Sequence, residues 1–145
     1  RPVIAATLLP VWTHSLAAGP LDAFRDVNRL VVVSLPQGPA AENVAAAWCL
    51  HRVKIDERDL KIIDASEGAQ RVAAGVRLNP EHIIAVRQHF KLAAGEPRPV
   101  FILVGKDGGE KARQVGTLDL ETWFALIDHM PTRRQEIQNQ QKKSD

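Results

Sequence analysis

The chain has 145 residues, 45% of them apolar and 25% charged, which is the composition of an ordinary globular protein and the size of one domain. A single cysteine excludes a disulfide scaffold, a zinc site built from several thiolates and an iron–sulfur cluster. The net charge of +2 is too small to indicate a nucleic-acid-binding protein.

Residues 1–18 have the pattern of a secretory signal. Arg1 is followed by apolar residues and then by small ones, which allow cleavage after Ala17 or Ala18. The apolar stretch is shorter than the roughly 20 residues of a membrane-spanning helix, and Pro10 interrupts it. We therefore predict a periplasmic or secreted protein with no membrane span after signal removal; the alternative is an ordinary N-terminal helix.

Two buried strands and a helix between them are predicted next. Leu30–Val33 is a continuous apolar run, as expected for a strand that is covered on both faces, and Leu60–Ala65, with Ile62 and Ile63, is predicted to be a second buried strand. Ala40–Val53 is rich in alanine and places its large apolar residues near one face, which indicates a helix. A crossover helix between two such strands predicts that they are parallel.

The second helix is predicted to start at Asn79, a capping residue, with Pro80 at its first position. Val100–Val104 is the most apolar strand. The turn Lys106–Gly109 contains the Asp-Gly pair that hairpins favour, so Lys111–Val115 is predicted to pair back antiparallel.

Asp119 is predicted to cap the last helix, which ends at Pro131. Residues 137–145 are rich in glutamine and lysine and are predicted to be a flexible polar tail, so the domain spans residues 19–136. The order strand–helix–strand, helix, strand–strand–helix predicts an α/β, thioredoxin-like three-layer fold, with a mixed central sheet of about four strands flanked by helices.

Three strings in the sequence resemble a known family. They are Arg58-Asp59-Leu60; Val104-Gly105-Lys106-Asp107-Gly108-Gly109 with Lys111; and Ile127-Asp128-His129-Met130-Pro131 with Arg133, Arg134 and Glu136. The chain resembles an uncharacterised thioredoxin-like family found in small exported bacterial proteins. The same domain is repeated in animal extracellular-matrix proteins, equarin and the sushi-repeat-containing X-linked group. The resemblance implies a fold related to peroxiredoxins and an exported location, without an established activity.

A thioredoxin-like fold normally carries its reactive cysteine after the first strand, at the N-terminus of the first helix. There the helix dipole and the free amides lower the pKa of the thiol. Here the segment reads Gln37-Gly38-Pro39-Ala40, so Gln37 and Ala40 stand where the two thiols would be. This alignment rests on the Gly-Pro pair alone. However, no cysteine lies between Leu30 and Trp48, which excludes thiol–disulfide exchange at the usual site.

Cys49 is the alternative catalytic residue. It is placed about two turns into the predicted helix, beyond reach of the terminal amides, and Arg52 could lower its pKa modestly if the thiol were exposed. Because free cysteines are most often buried, we expect a half-buried structural thiol. The alternative function is a one-cysteine peroxide or thiol oxidoreductase.

The first candidate binding surface is the rim formed by the Pro36–Ala40 loop, with Gln37, Gly38 and Pro39, and by Pro99 before the third strand. In thioredoxin-like folds this second position is typically a cis-proline, which exposes backbone to an extended peptide. The resemblance leaves both isomers of the Arg98–Pro99 bond open. A trans bond would remove the peptide-cleft version of this hypothesis.

The second candidate surface is basic. Lys106 and Lys111 flank the hairpin, and Arg133 and Arg134 follow the last helix. If these segments are adjacent, the four cations form one patch for an anionic glycan or a phosphate group. The alternative is that the two arginines cap the helix or pair with Asp128 and Glu136.

No pattern indicates a cofactor or a metal site. His82 and His89 lie about 10 Å apart along a helix axis, which is too far to share a metal ion. The sequence therefore predicts an exported thioredoxin-like domain that lacks the redox cysteines. We expect it to act as a non-catalytic binding or interaction module, without a nucleic-acid partner.

Overall fold

Five strands form the central sheet: β1 (Arg29–Ser34), β2 (Leu60–Asp64), β3 (Val76–Arg77), β4 (Val100–Val104) and β5 (Glu110–Val115). They belong to a computed structural model that describes residues 19–69 and 71–145, so the signal predicted in residues 1–18 lies outside the described part. The order across the sheet is β3-β2-β1-β4-β5. β1 pairs in parallel with β2 and antiparallel with β4, and β4 pairs antiparallel with β5.

The helices of the described part are α1 (Ala40–Leu50), α2 (Arg52–Glu57), α3 (Pro80–His89), α4 (Leu120–Asp128) and α5 (Pro131–Ser144), with a 3-10 turn at Asp22–Phe24. Two predicted caps are confirmed, since the side chain of Asn79 accepts from the amide of His82 and that of Asp119 from the amide of Thr122. None of these helices has the length and apolar character needed to cross a bilayer.

Both faces of the sheet are covered, which explains the continuous apolar runs. Val31 and Val33 on one face of β1 pack with the cluster that includes Trp48 of α1 and Trp123 of α4. The alternate residues of β1 face the other cluster, which includes Val86 of α3. Every residue of β1 and β4 is buried. The predicted α/β, thioredoxin-like three-layer fold with a mixed sheet is therefore confirmed.

Three details differ from the sequence prediction. The helix predicted over Ala40–Val53 is divided at His51, whose backbone leaves the helical conformation and whose ring nitrogen lies 2.9 Å from the carbonyl oxygen of Ala47. The two-residue strand β3 adds a fifth strand that was not predicted, because it is too short to carry an alternating pattern. The tail predicted as flexible over residues 137–145 is helical to Ser144, since glutamine and lysine are good helix formers.

The register of β1 defines two ends of the sheet. At the upper end, β1 and β2 finish and β4 begins, because Ser34 pairs with Val100. At the lower end, β1 and β2 begin, because Arg29 pairs with Leu60. The upper end carries the loop that follows β1, and the lower end carries the hairpin turn.

Candidate functional site

The Pro36–Ala40 loop lies at the upper end of the sheet and leads from β1 into the N-terminus of α1, as predicted. Pro39 precedes the first helical residue, and no side chain caps the helix. Gln37 is exposed, and its side-chain amide packs against Gly68. The side-chain nitrogen lies 2.5 Å from the position that a Cβ atom would occupy at residue 68, so a Cβ atom there would require the Gln37 amide to move. The loop and the N-terminus of α1 therefore carry an amide at Gln37 and a methyl group at Ala40, and no thiol.

Two grooves flank this loop. The first has a volume of about 410 Å³ and is lined by Ser34, Leu35, Pro36, Gln37, Glu67, Gly68, Gly95, Glu96 and Pro97. The second has a volume of about 290 Å³ and is lined by Ala40, Asn43, Val44, Ala47, Pro99, Phe101, Gly116, Thr117 and Leu118. The structure thus brings Pro99 beside the N-terminus of α1, whereas Gln37 faces the other groove.

Arg87 of α3 holds the first groove together. Its guanidinium donates to Ser34 Oγ at 2.7 Å, to the carbonyl oxygen of Ala65 at 2.8 Å and to Glu67 Oε1 at 2.8 Å. It also donates to the carbonyl oxygen of Ala93 at 3.0 Å. One largely buried side chain therefore joins the end of β1, the loop after β2 and the loop after α3.

Asp64 fixes the loop after β2. This residue is 1% exposed, and its carboxylate accepts from the backbone amides of Ser66 at 3.0 Å and Val72 at 2.8 Å. The hydroxyl of Ser66 in turn accepts from the amide of Leu35 at 2.9 Å. Both loops that border the first groove are thus positioned by buried side chains, which favours a preformed site.

The cis-proline version of the peptide cleft is wrong. Within residues 19–69 and 71–145 no peptide bond is cis, so the Arg98–Pro99 bond is trans. The carbonyl oxygen of Pro99 accepts from the amide of Gly116 at 2.7 Å. Because this backbone group already has a partner inside the domain, it is not available to an added peptide strand.

Cys49 is exposed, which corrects the expectation of a half-buried thiol. It lies on the outer side of α1 near its C-terminal end, and the next residue, Leu50, is 81% exposed. Arg52, the cation considered as its activator, instead donates to Asp56 at 3.3 Å. The thiol therefore lies away from the N-terminus of α1, and the cation considered as its activator is paired with a carboxylate.

The lower end of the sheet holds a group of charged side chains, which we name the ion cluster: Arg29, Arg58, Asp59, Lys106, Asp128, Arg133 and Glu136. Two carboxylates organise it. Glu136 accepts from Arg29 through both oxygens, at 3.2 Å each, and from Lys106 at 2.6 Å.

Asp128 is the second organising carboxylate of the ion cluster. It accepts from Arg58 at 3.1 Å and 2.7 Å, and from Arg133 at 3.3 Å. Arg58 also lies 4.8 Å from the centre of the Phe124 ring, in a cation–π contact. The cluster therefore connects α2, the start of β2, the end of α4 and the first turns of α5.

The two carboxyl groups keep their charge within the cluster. Burial raises the pKa of Glu136, but hydrogen bonds from Lys106 and Arg29 outweigh it, and the pKa lies below its ordinary value. Burial likewise raises the pKa of Asp128, and hydrogen bonds from Arg58 and Arg133 outweigh this effect. Both groups are therefore ionised at neutral pH.

The four cations of the predicted basic patch do not form one free surface. The hairpin does lie beside α5, since Lys106 and Arg133 both contact Glu136. However, Arg133 is 5% exposed and Lys106 is also paired with Asp59. Arg133 thus follows the alternative of pairing with Asp128 and Glu136.

The two remaining cations of that patch lie outside the cluster. Lys111 donates to Asp107 at 2.7 Å, within its own hairpin. Arg134 is exposed on α5. Three of the four predicted cations, Lys106, Lys111 and Arg133, therefore have carboxylate partners, and the four do not form one unpaired basic patch.

Sequence reasoning missed Arg87, Glu67 and Arg29. Arg87 directly follows the core residue Val86 on α3, and an arginine beside a buried position is a signal for a buried hydrogen-bond network. Arg29 directly precedes an apolar strand, which indicates a cation at the border of the core. Neither signal could name the partner, because each partner is distant in the sequence.

Solved structures with a similar fold include peroxiredoxins. The chain is similar to a reduced 2-Cys peroxiredoxin of Plasmodium vivax, with 11% identity, a TM-score of 0.55 and coverage of 84% of each chain. It is also similar to peroxiredoxin Q of Xanthomonas campestris, with 13% identity, a TM-score of 0.56 and coverage of 80% of this chain and 84% of that one. At these identities the likeness shows the fold alone.

The sequence comparisons match this chain to a protein family over most of its length. No curated protein was found to match it. Residues 20–136, the part that contains both grooves and the ion cluster, match the family described as "Domain of unknown function (DUF4174)". The chain therefore belongs to the DUF4174 family.

Proposed function

We propose that the chain is an exported, non-catalytic binding module built on the thioredoxin fold. The observation that carries the proposal is the identity of the residues at the N-terminus of α1. Gln37 and Ala40 stand where thiol–disulfide chemistry needs sulfur, and neither side chain is a nucleophile. The proposal of export rests on the sequence pattern of residues 1–18.

The one-cysteine oxidoreductase is the second candidate, and the exposure of Cys49 is the observation that favours it. Two observations argue against this candidate. Cys49 is the tenth residue of α1, so the amides of the helix N-terminus are far from its sulfur. Arg52 is paired with Asp56 rather than with the thiol. An exposed thiol without an activating group has ordinary reactivity.

The first groove is the ligand site that we propose. Leu35, Pro36 and Pro97 give it apolar walls, and Gly95, whose Cβ position is open, lets another chain approach the backbone closely. Its rims carry Glu67 and Glu96, each of which has an arginine partner, so the groove has little net charge. These features favour an extended peptide over an anionic glycan or phosphate ligand.

A random peptide library selected on the wild-type protein tests this site. We expect the enriched peptides to bind Pro97→Arg about tenfold more weakly, because the new side chain fills the groove with a charge. Ala94→Arg is the matched control, since Ala94 is exposed in the same loop and is not a groove residue. Titrations followed by fluorescence anisotropy give the two dissociation constants.

Cys49→Ser is the second control in this experiment, and we expect it to bind the peptides as the wild type does. Equal losses in Pro97→Arg and Ala94→Arg would contradict the groove as the binding site. A loss in Cys49→Ser would instead support the thiol as part of the site.

A further inference from the structure

The carboxylate of Glu136 lies among three cations as a bound anion does. Arg29 donates to both of its oxygens at 3.2 Å, and Lys106 donates to one of them at 2.6 Å. Arg133 lies 3.6 Å from the other oxygen. A two-point guanidinium contact supported by an ammonium group is the arrangement by which proteins recognise free carboxylates.

The burial of these cations shows that the arrangement is a built site. Arg29 is 1% exposed and Arg133 is 5% exposed. Within the described residues, Glu136 is the only carboxylate that pairs with Arg29. The Nε group of Arg29 is also buried and has no hydrogen-bond partner there. The other two cations have second acidic partners, Lys106 at Asp59 and Arg133 at Asp128. In the described part of the chain, the positive charge of Arg29 is therefore balanced by the carboxylate of Glu136 alone.

The segment that supplies this carboxylate is held by charge more than by apolar packing. Arg133 is the buried residue of α5, and the residues after Ile137 are polar and exposed. A helix without a buried apolar face gains little from the hydrophobic effect when it docks. Glu136, with its contacts to Arg29 and Lys106, and Arg133, with its contacts to Asp128 and Glu57, therefore supply the polar attachment of α5 to the domain.

We propose that Arg29, Lys106 and Arg133 form a carboxylate-binding site whose resident occupant is Glu136 of the same chain. The site accepts a small external carboxylate when that side chain is removed; when α5 is displaced, Arg133 leaves with it, and Arg29 and Lys106 remain to bind the carboxylate. α5 thus acts as a latch that carries its own ligand. This inference is independent of the peptide groove, which lies at the opposite end of the sheet.

Glu136→Ala in the full chain, studied with formate, tests the proposal. We expect about 100 mM sodium formate to raise the Tm of the variant by about 4 °C over sodium chloride at the same ionic strength, which corresponds to a Kd of about 10 mM. The wild type measures the general effect of each salt on the Tm. We expect its Tm to be the same in formate and in chloride, because Glu136 already fills the site. The double variant Arg29→Met with Glu136→Ala also removes the buried guanidinium that would bind formate. We expect the Tm of this double variant not to rise in formate.

Each outcome of this experiment decides the proposal. An equal response of Glu136→Ala and wild type to formate would overturn it, and so would an unchanged response in the double variant. If Glu136→Ala is unfolded in chloride, circular dichroism after transfer to formate becomes the measurement. Recovery of the helical signal in formate alone would support the site, and failure to fold in either salt would contradict it.

Discussion

Replacing Glu136 with glutamine is expected to lower the free energy of unfolding by about 3 kcal/mol, the cost of leaving a buried charge without its partner. The amide keeps the shape of the side chain but removes the anion. Arg29, which is 1% exposed, then has only neutral acceptors, the amide oxygen of the glutamine and the carbonyl oxygen of Arg58. We place the effect at the low end of the known range because 21% of the Glu136 side chain is exposed.

Replacing the other partner, Arg29→Met, is expected to lower the free energy of unfolding by less, about 1 kcal/mol, because Glu136 keeps Lys106 and Arg133 as partners. Adding Arg29→Met to Glu136→Gln is then expected to recover about 1 to 2 kcal/mol, since it removes the unpaired charge. Urea denaturation of the four proteins measures this cycle. Additive losses would show that the two side chains are not coupled and would contradict the geometry of the ion cluster.

Replacing Arg87 with leucine is expected to cost about 3 kcal/mol, because one guanidinium serves several acceptors around the first groove. Ser34, Ala65, Glu67 and Ala93 each lose a charged donor. We expect the peptides selected on the wild type to lose most of their affinity as well, since the two loops that form the groove are no longer joined.

Arg87→Lys is the matched control for this change. Lysine keeps the charge but cannot reach all of the acceptors at once, so we expect an intermediate loss of stability. Urea denaturation gives the stability, and hydrogen exchange of residues 65–69 and 92–96 reports the loops. If those amides exchange at the wild-type rate in Arg87→Leu, the arginine does not organise the groove.

Local signals were sufficient for most of the fold. The apolar run at Val100–Val104 predicted β4 with its observed bounds, because a strand covered on both faces needs apolar residues at every position. The caps at Asn79 and Asp119 and the Asp-Gly turn of the hairpin were also predicted, since each depends on neighbouring residues. β3 was missed because its two residues depend on pairing with β2.

The candidate site was less predictable, because its contacts join residues that are distant in the sequence. The loop at Gln37 was placed correctly from its position after the first strand. By contrast, the partners of Arg87 lie on three segments, and the three cations around Glu136 come from β1, the hairpin and α5. The sequence predicted cations at Lys106 and Arg133 and offered Glu136 as a partner of Arg133, but it did not predict that Arg29 and Lys106 bind the same carboxylate.

The strings that carry the family resemblance meet in the ion cluster rather than in the first groove. Arg58-Asp59, Lys106 and the segment from Asp128 to Glu136 are all parts of it. These residues hold α4, α5 and the hairpin against the sheet. These strings therefore contribute to the assembly of the fold in this chain, and the first groove is formed by other residues.

The reaction of the folded protein with hydrogen peroxide tests the central claim most directly. Cys49→Ser supplies the blank, because Cys49 is the single cysteine of the chain. If Gln37 and Ala40 leave the fold without redox chemistry, the second-order rate constant at neutral pH will lie within about threefold of that of free cysteine. A rate constant about a hundredfold higher, lost in Cys49→Ser, would show an activated thiol and would contradict the account of a non-catalytic binding module.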